Sequence, residues 1–159
     1  MNDLPDLRER REVLDPKRSF IVVAPAGAGK TQVLVKRYLT LLKNASSVDS
    51  IVALTYTNKA AEEMRGRIFS ALRSAAGAAK GRDDNEEELF SIAREALKNT
   101  KVPREELFSP GAFRISTFQG CCSEILKSCP LEADVSPGFT VFEEAEETSA
   151  FLSTAEEVV

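Results

Sequence analysis

The sequence predicts an α/β fold: a parallel sheet flanked by helices and built around a P-loop, that is, a phosphate-binding loop. Three observations predict it. Short β-branched runs alternate along the chain with longer segments whose apolar residues recur at helical spacing. A glycine-rich stretch, residues 24–31, stands at the junction of one such run and one such helix. The chain of 159 residues is 43% hydrophobic and 29% charged, which fits a globular domain able to bury a core and excludes collagen-like and wholly disordered classes.

The elements follow in order. Residues 1–18 alternate acids and bases, and Pro5 and Pro16 bracket a short helical stretch around Leu7 to Leu14. Residues 19–24, with Phe20, Ile21, Val22 and Val23 in succession, read as a buried strand, and residues 25–29 as a small-residue turn. The helix after it places Val33, Leu34, Val35, Tyr38, Leu39, Leu41 and Leu42 in a wide stripe suited to packing on a sheet. A second strand at 50–55 leads to a helix that Asn58 can cap, with Ala61, Met64, Ile68 and Leu72 on one face. Residues 74–87 form a polar loop, and Leu89, Ile92, Ala93, Ala96 and Leu97 mark another amphipathic helix. A connector enclosed by Pro103 and Pro110 precedes a third strand at 112–116, which runs into a helix ending before Pro130. Such alternation predicts parallel strands joined by right-handed crossovers.

Charge is unevenly divided. Residues 1–82 hold 15 Lys/Arg against 8 Asp/Glu and residues 83–159 hold 6 against 17, so a polyanion would meet the first part. No Lys or Arg follows Lys127, which leaves an acidic end that reads as a solvated face. The longest apolar runs fall far short of the ~20 residues of a membrane span, and no signal peptide is evident. Three cysteines, an odd number, point to a reducing cytoplasm rather than a disulfide framework; Cys121 and Cys122 read as small hydrophobes buried on a helix. Without histidine a zinc site is not expected.

Residues Ala24, Pro25, Ala26, Gly27, Ala28, Gly29, Lys30 and Thr31 carry the clearest chemistry. Glycines let successive backbone N–H groups turn inward, and the following helix adds its positive end to the same place. Lys30 would then reach the β- and γ-phosphates of ATP, and the Thr31 hydroxyl would ligate Mg²⁺, which makes these two the expected catalytic residues. Ala24 stands where such loops have their first glycine.

Two further motifs narrow the choice. Residues 54–61, Leu-Thr-Tyr-Thr-Asn-Lys-Ala-Ala, resemble the segment after the P-loop in superfamily 1 DNA helicases of the UvrD/Rep/RecB group, with Tyr56 in place of the usual phenylalanine. Residues 115–122, Ile-Ser-Thr-Phe-Gln-Gly-Cys-Cys, resemble that group's T-[FI]-H-S-F-C segment, with Gln119 in place of histidine. Together with Pro130 to Ala133, Pro137 to Phe139 and Val141 to Glu144, they are similar to the N-terminal part of the AddA-type subunit of bacterial double-strand-break repair helicase-nucleases, over residues 10–150.

That resemblance implies a RecA-like P-loop ATPase domain whose first part is residues 1–128, with a loop and helix insertion at about 74–110. Residues 129–159 would begin a helical accessory domain or form an acidic tail. It implies an ATP-dependent DNA helicase of repair and recombination, with ATP and Mg²⁺ as cofactors, single-stranded DNA as partner and an AddB/RecC-like protein beside it. Nucleotide contacts would run from Ala24 through Gln32. DNA contacts would fall on Thr55, Tyr56, Thr57, Asn58, Lys59, Thr117 and Phe118. The residue types suit this, since small polar groups at a helix start can bind phosphates and a ring can stack on any base. Ordinary readings stand beside it: Tyr56 and Phe118 as core aromatics, Thr57, Asn58 and Thr117 as caps, and Lys59, Arg65 and Arg67 as a solvated basic face.

Departures from the family pattern shape the expectation. Residues 1–20 contain no glutamine to read adenine, and Arg10 or Arg11 stands nearest its place. Glu143-Glu144 has the form of the acidic pair that holds Mg²⁺ and positions water, but the resemblance sets it beyond the catalytic sheet. The sheet is therefore expected to be incomplete and the chain to be an N-terminal piece of a longer motor, inactive by itself. The alternative is a non-catalytic nucleotide- or DNA-binding remnant of such a motor.

Overall fold

The computed structural model describes residues 6–140, and Glu143 and Glu144 lie outside them. The elements are α1 (Leu7–Glu12), α2 (Lys30–Leu42), β1 (Val52–Thr55), α3 (Asn58–Ala76), α4 (Asp84–Asn99), α5 (Arg104–Leu107), β2 (Arg114–Thr117) and α6 (Phe118–Ser128), with a turn of 3₁₀ helix at Val48–Ser50. They form a mixed α/β structure that divides into two compact units, Met1–Thr117 and Phe118–Val159.

In the first unit β1 and β2 pair in parallel, with Val52 opposite Arg114, Ala53 opposite Ile115, Leu54 opposite Ser116 and Thr55 opposite Thr117. The parallel pairing is as the alternation predicts, but the expected strand at 19–24 does not form. Ile21 and Val23 are 94% and 93% exposed and belong to no ladder. Strand preference expresses fit to a pleated, half-buried surface, and among the described residues this exposed segment pairs with neither β1 nor β2.

The core is helical more than it is sheet. Tyr38, Leu39 and Leu42 of α2, Ile68, Ala71, Leu72 and Ala75 of α3, and Ala93 and Ala96 of α4 join Leu107, Phe113 and Ile115 in one buried cluster. Alanines where α3 and α4 meet let those helices approach closely, and Phe113 meets Tyr38 edge to face at 5.7 Å. The stripe on α2 thus packs chiefly on α3 and α4 rather than on a sheet, and Leu34, expected within it, is half exposed.

Ion pairs seat α4 on α2. Lys36, buried on α2, donates to Asn85 Oδ1 at 2.7 Å and pairs with Glu88, and seven residues on Lys43 meets Glu95 at 2.7 Å. Seven-residue spacing on both helices brings both pairs onto the shared face. Helix α4 starts at Asp84, earlier than its apolar period suggests, because the Asp83 side chain accepts from Glu86 N at 2.7 Å as N-cap. Thr57, not Asn58, caps α3, its hydroxyl accepting from Ala60 N at 3.1 Å.

Tyr38 tests the packing. Its ring is 3% exposed and its hydroxyl, buried, has no hydrogen-bond partner. Burial first, and then the nearby Asp49 charge, push the phenol up to about 12. A folded pKa above the unfolded one means that stability falls as pH rises from about 10 toward 12. Tyr38→Phe is expected to remove that alkaline loss and, at neutral pH, to leave stability unchanged or raise it by up to ~1 kcal/mol, since an unsatisfied hydroxyl is removed at constant shape. Thermal melts at neutral and alkaline pH check both.

Helix α6 belongs to the second unit and has no buried residue. Cys121, Cys122 and Cys129 are only partly buried, which corrects the expectation that the adjacent pair lies in a core.

Candidate nucleotide and DNA sites

The loop from Ala24 to Lys30 is closed by its own backbone. Ala28 N–H donates to Pro25 O at 3.3 Å, and Gly27 and Gly29 take φ of +77° and +79°, a region that glycine enters without strain. Gly29 is the N-cap of α2, and its carbonyl accepts from Gln32 and Val33 N–H at 3.0 and 3.2 Å. The first N–H groups of α2 therefore stand at the loop.

Lys30 and Thr31 are exposed at the start of α2. The Lys30 ammonium turns back over the loop and donates to Ala24 O at 2.5 Å and Pro25 O at 2.7 Å. An exposed ammonium resting on two neutral carbonyls can exchange them for an anion, because an anion adds the attraction of an opposite charge that a neutral carbonyl lacks. Gln32 is partly buried, with its side-chain oxygen 3.7 Å from where a Gly29 Cβ would stand.

The second and third motifs meet at one end of the sheet. Thr55 and Thr117 are the last residues of β1 and β2 and face each other in register. The Thr55 hydroxyl donates to Thr57 O at 3.0 Å, fixing the turn into α3. Tyr56 is fully exposed, so its ring is not a core aromatic. Thr57, Asn58 and Lys59 are also exposed. Phe118, in the second unit, is 63% exposed. Carboxyl ends of parallel strands are where open α/β sheets take ligands.

Of the neighbouring cations, Arg65 is occupied by the Ile115 carbonyl and Arg67 by Glu63 at 2.5 Å, which leaves Lys59 the better placed to attract phosphate.

Two arginines acquire roles that spacing does not reveal. Arg10 Nη2 donates to Ala28 O at 2.8 Å and pairs with Asp6 at 2.8 Å, a pairing that holds the Asp6 carboxyl below its usual range. Arg37 of α2 donates to the carbonyls of Val13, Asp15 and Arg18, the last two at 3.1 and 2.9 Å, and its guanidinium lies 5.4 Å from the Phe20 ring. The only sequence signal for Arg10 is its nearness to the place of the family's adenine-reading residue. For Arg37 there is none, since side-chain contacts to backbone carbonyls carry no residue pattern.

Comparison with known proteins decides the family. The model of the UvrD/REP helicase N-terminal domain matches residues 7–158. The chain belongs to the UvrD/REP helicase family. Among its relatives are AddA proteins, named as subunits of an ATP-dependent helicase/nuclease: that of Lactobacillus acidophilus is 30% identical over 91% of this chain, and that of Heliobacterium modesticaldum 32% identical over 80%. That of Ligilactobacillus salivarius is 28% identical over 89%. The chain spans only about a tenth of the length of these relatives. The three motifs lie within the matched residues, two of them at the ends of β1 and β2. Among the described residues no helix is long and apolar enough to cross a membrane.

Proposed function

We propose that the chain is the nucleotide-binding part of an ATP-driven DNA helicase motor of the AddA type, acting in double-strand-break repair and recombination. Its first part, residues 1–128, would belong to a RecA-like P-loop domain, with residues 129–159 opening an accessory domain or forming an acidic tail. What carries the reading is the loop at 24–31: two left-handed glycines, a helix start and a lysine resting on loop carbonyls, in a chain of helicase family.

The residues fit Mg-ATP. Backbone N–H groups of the 27–31 stretch and the Gln32 side chain would receive phosphate oxygens, Lys30 would leave its carbonyls for the β- and γ-phosphates, and the Thr31 hydroxyl would ligate Mg²⁺. Bound Mg²⁺ would neutralise charge on the phosphates during hydrolysis. At the end of the sheet, Thr55, Thr57, Asn58, Lys59 and Thr117 would hold the phosphates of single-stranded DNA while Tyr56 stacks on a base; Phe118, in the second unit, is the other ring proposed to stack on DNA. An AddB/RecC-like protein would be its partner in the cytoplasm.

Tyr56 gives the direct test of the DNA half. Binding of an oligothymidylate is expected to weaken with added salt, and Tyr56→Ala is expected to cost a further ~1–3 kcal/mol, about one base stacked. The full exposure of Tyr56 makes the substitution neutral for folding, so fluorescence anisotropy reads binding alone. Unchanged affinity in the variant would remove this segment from the DNA site.

A further inference from the structure

One peptide group in the loop, between Ala28 and Gly29, sets the direction of a backbone donor. In a planar trans peptide the C=O and N–H point in opposite directions. Whatever holds the Ala28 carbonyl therefore fixes where Gly29 N–H points. Glycine at φ +79° resists neither orientation strongly, so the plane needs an external hold.

Arg10 supplies that hold. One hydrogen of Nη2 goes to Ala28 O and another faces Asp6, both at 2.8 Å, so the guanidinium is itself aimed. Its Nη1 lies 3.3 Å from where a Cβ on Gly29 would stand, close enough that any side chain there would press on the arginine. The segment bearing Arg10 is fastened in turn: Arg37 on α2 binds the carbonyls of Val13, Asp15 and Arg18, which lead from α1 toward the loop.

We propose that Arg10 is a positioning residue of the phosphate site, gripping the Ala28 carbonyl so that Gly29 N–H stays turned toward the bound phosphates. This rests on the nucleotide reading of the loop. The arginine touches no phosphate in this role; it acts through the backbone. The site is then assembled from two distant stretches, with α1 closing a loop that α2 begins.

The test compares Mg-ATP and inorganic pyrophosphate binding by the whole chain and three variants, with melting curves to confirm folding. Arg10→Ala is expected to weaken both ligands about tenfold, the loss of one charge-assisted hydrogen bond. Arg10→Lys, which can still donate to the Ala28 carbonyl, should stay within about threefold of wild type. In ¹⁵N-labelled chain the Gly29 amide resonance should move on adding pyrophosphate to wild type and Arg10→Lys, and stay in place in Arg10→Ala. Lys30→Ala separates the two layers. If Lys30→Ala weakens binding while Arg10→Ala does not, the nucleotide reading stands and the role of Arg10 is overturned. Equal weakening by Arg10→Lys and Arg10→Ala would also overturn it. If Lys30→Ala leaves binding unchanged, the loop is not the nucleotide site and both fall.

Discussion

Lys30→Ala is expected to lower the affinity for Mg-ATP by about a hundredfold while leaving the melting temperature unchanged. That size is the lower end of what losing contacts to two phosphates implies, each a charge-assisted bond of ~1.5–3 kcal/mol, at 1.4 kcal/mol per decade. The lack of a folding effect follows from position. Lys30 is exposed, and its partners in the loop are the carbonyls of Ala24 and Pro25, which stand at half-buried and exposed positions where water can replace it. Isothermal titration with Mg-ATP, beside a thermal melt, reads the two quantities separately. A variant that binds as wild type would take the nucleotide away from this loop, and one that binds weakly only because it melts early would show it in the second measurement.

Leu72→Ala should have the largest effect on stability. Leu72 is fully buried on α3 within the cluster shared with α2 and α4. Truncation of a buried leucine loses transfer energy and leaves a cavity, together about 2–5 kcal/mol. Total stabilities of single domains are about 5–15 kcal/mol, so the variant is expected to lose a substantial share of its margin. Packing limits relaxation here. The neighbours are a closely packed, alanine-lined helix pair, so few side chains near the cavity are long enough to fill it. Urea unfolding should show a lower midpoint with an unaltered slope, because the surface exposed on unfolding hardly changes. A loss under ~1 kcal/mol would mean that α4 moves in to fill the space.

Both effects trace back to features of unequal legibility. The existence of the helices at 30–42, 58–76 and 84–99 and of the parallel strands near 52–55 and 114–117 follows from local rules, apolar spacing of 3.6 for the helices and short β-branched runs for the strands, while the caps Thr57 and Asp83 and the start of α4 inside the expected 74–87 loop were set by the structure. The same local character made the loop at 24–31 and the segment at 54–59 recognisable as candidate sites, since a phosphate loop needs its glycines and lysine consecutive in the chain. A motif of consecutive residues carries its geometry with it.

What required the tertiary structure was anything dependent on a second stretch of chain. Residues 20–23 have strand composition, but a strand exists only when it is paired, and this segment pairs with neither β1 nor β2. The exposure of Tyr56 could not be separated from burial by residue type, because a tyrosine suits both a core and a stacking surface; the turn into α3 settled it. Lys36 gives no sign in the sequence that it is buried, because its burial depends on Asn85 and Glu88, about fifty residues away. Arg10 stands eighteen residues before the carbonyl it grips, and a guanidinium bonding a backbone oxygen imposes no residue type on its partner. Spacing along the chain thus marked the residues proposed to carry the chemistry, and packing across the chain decided how they are held.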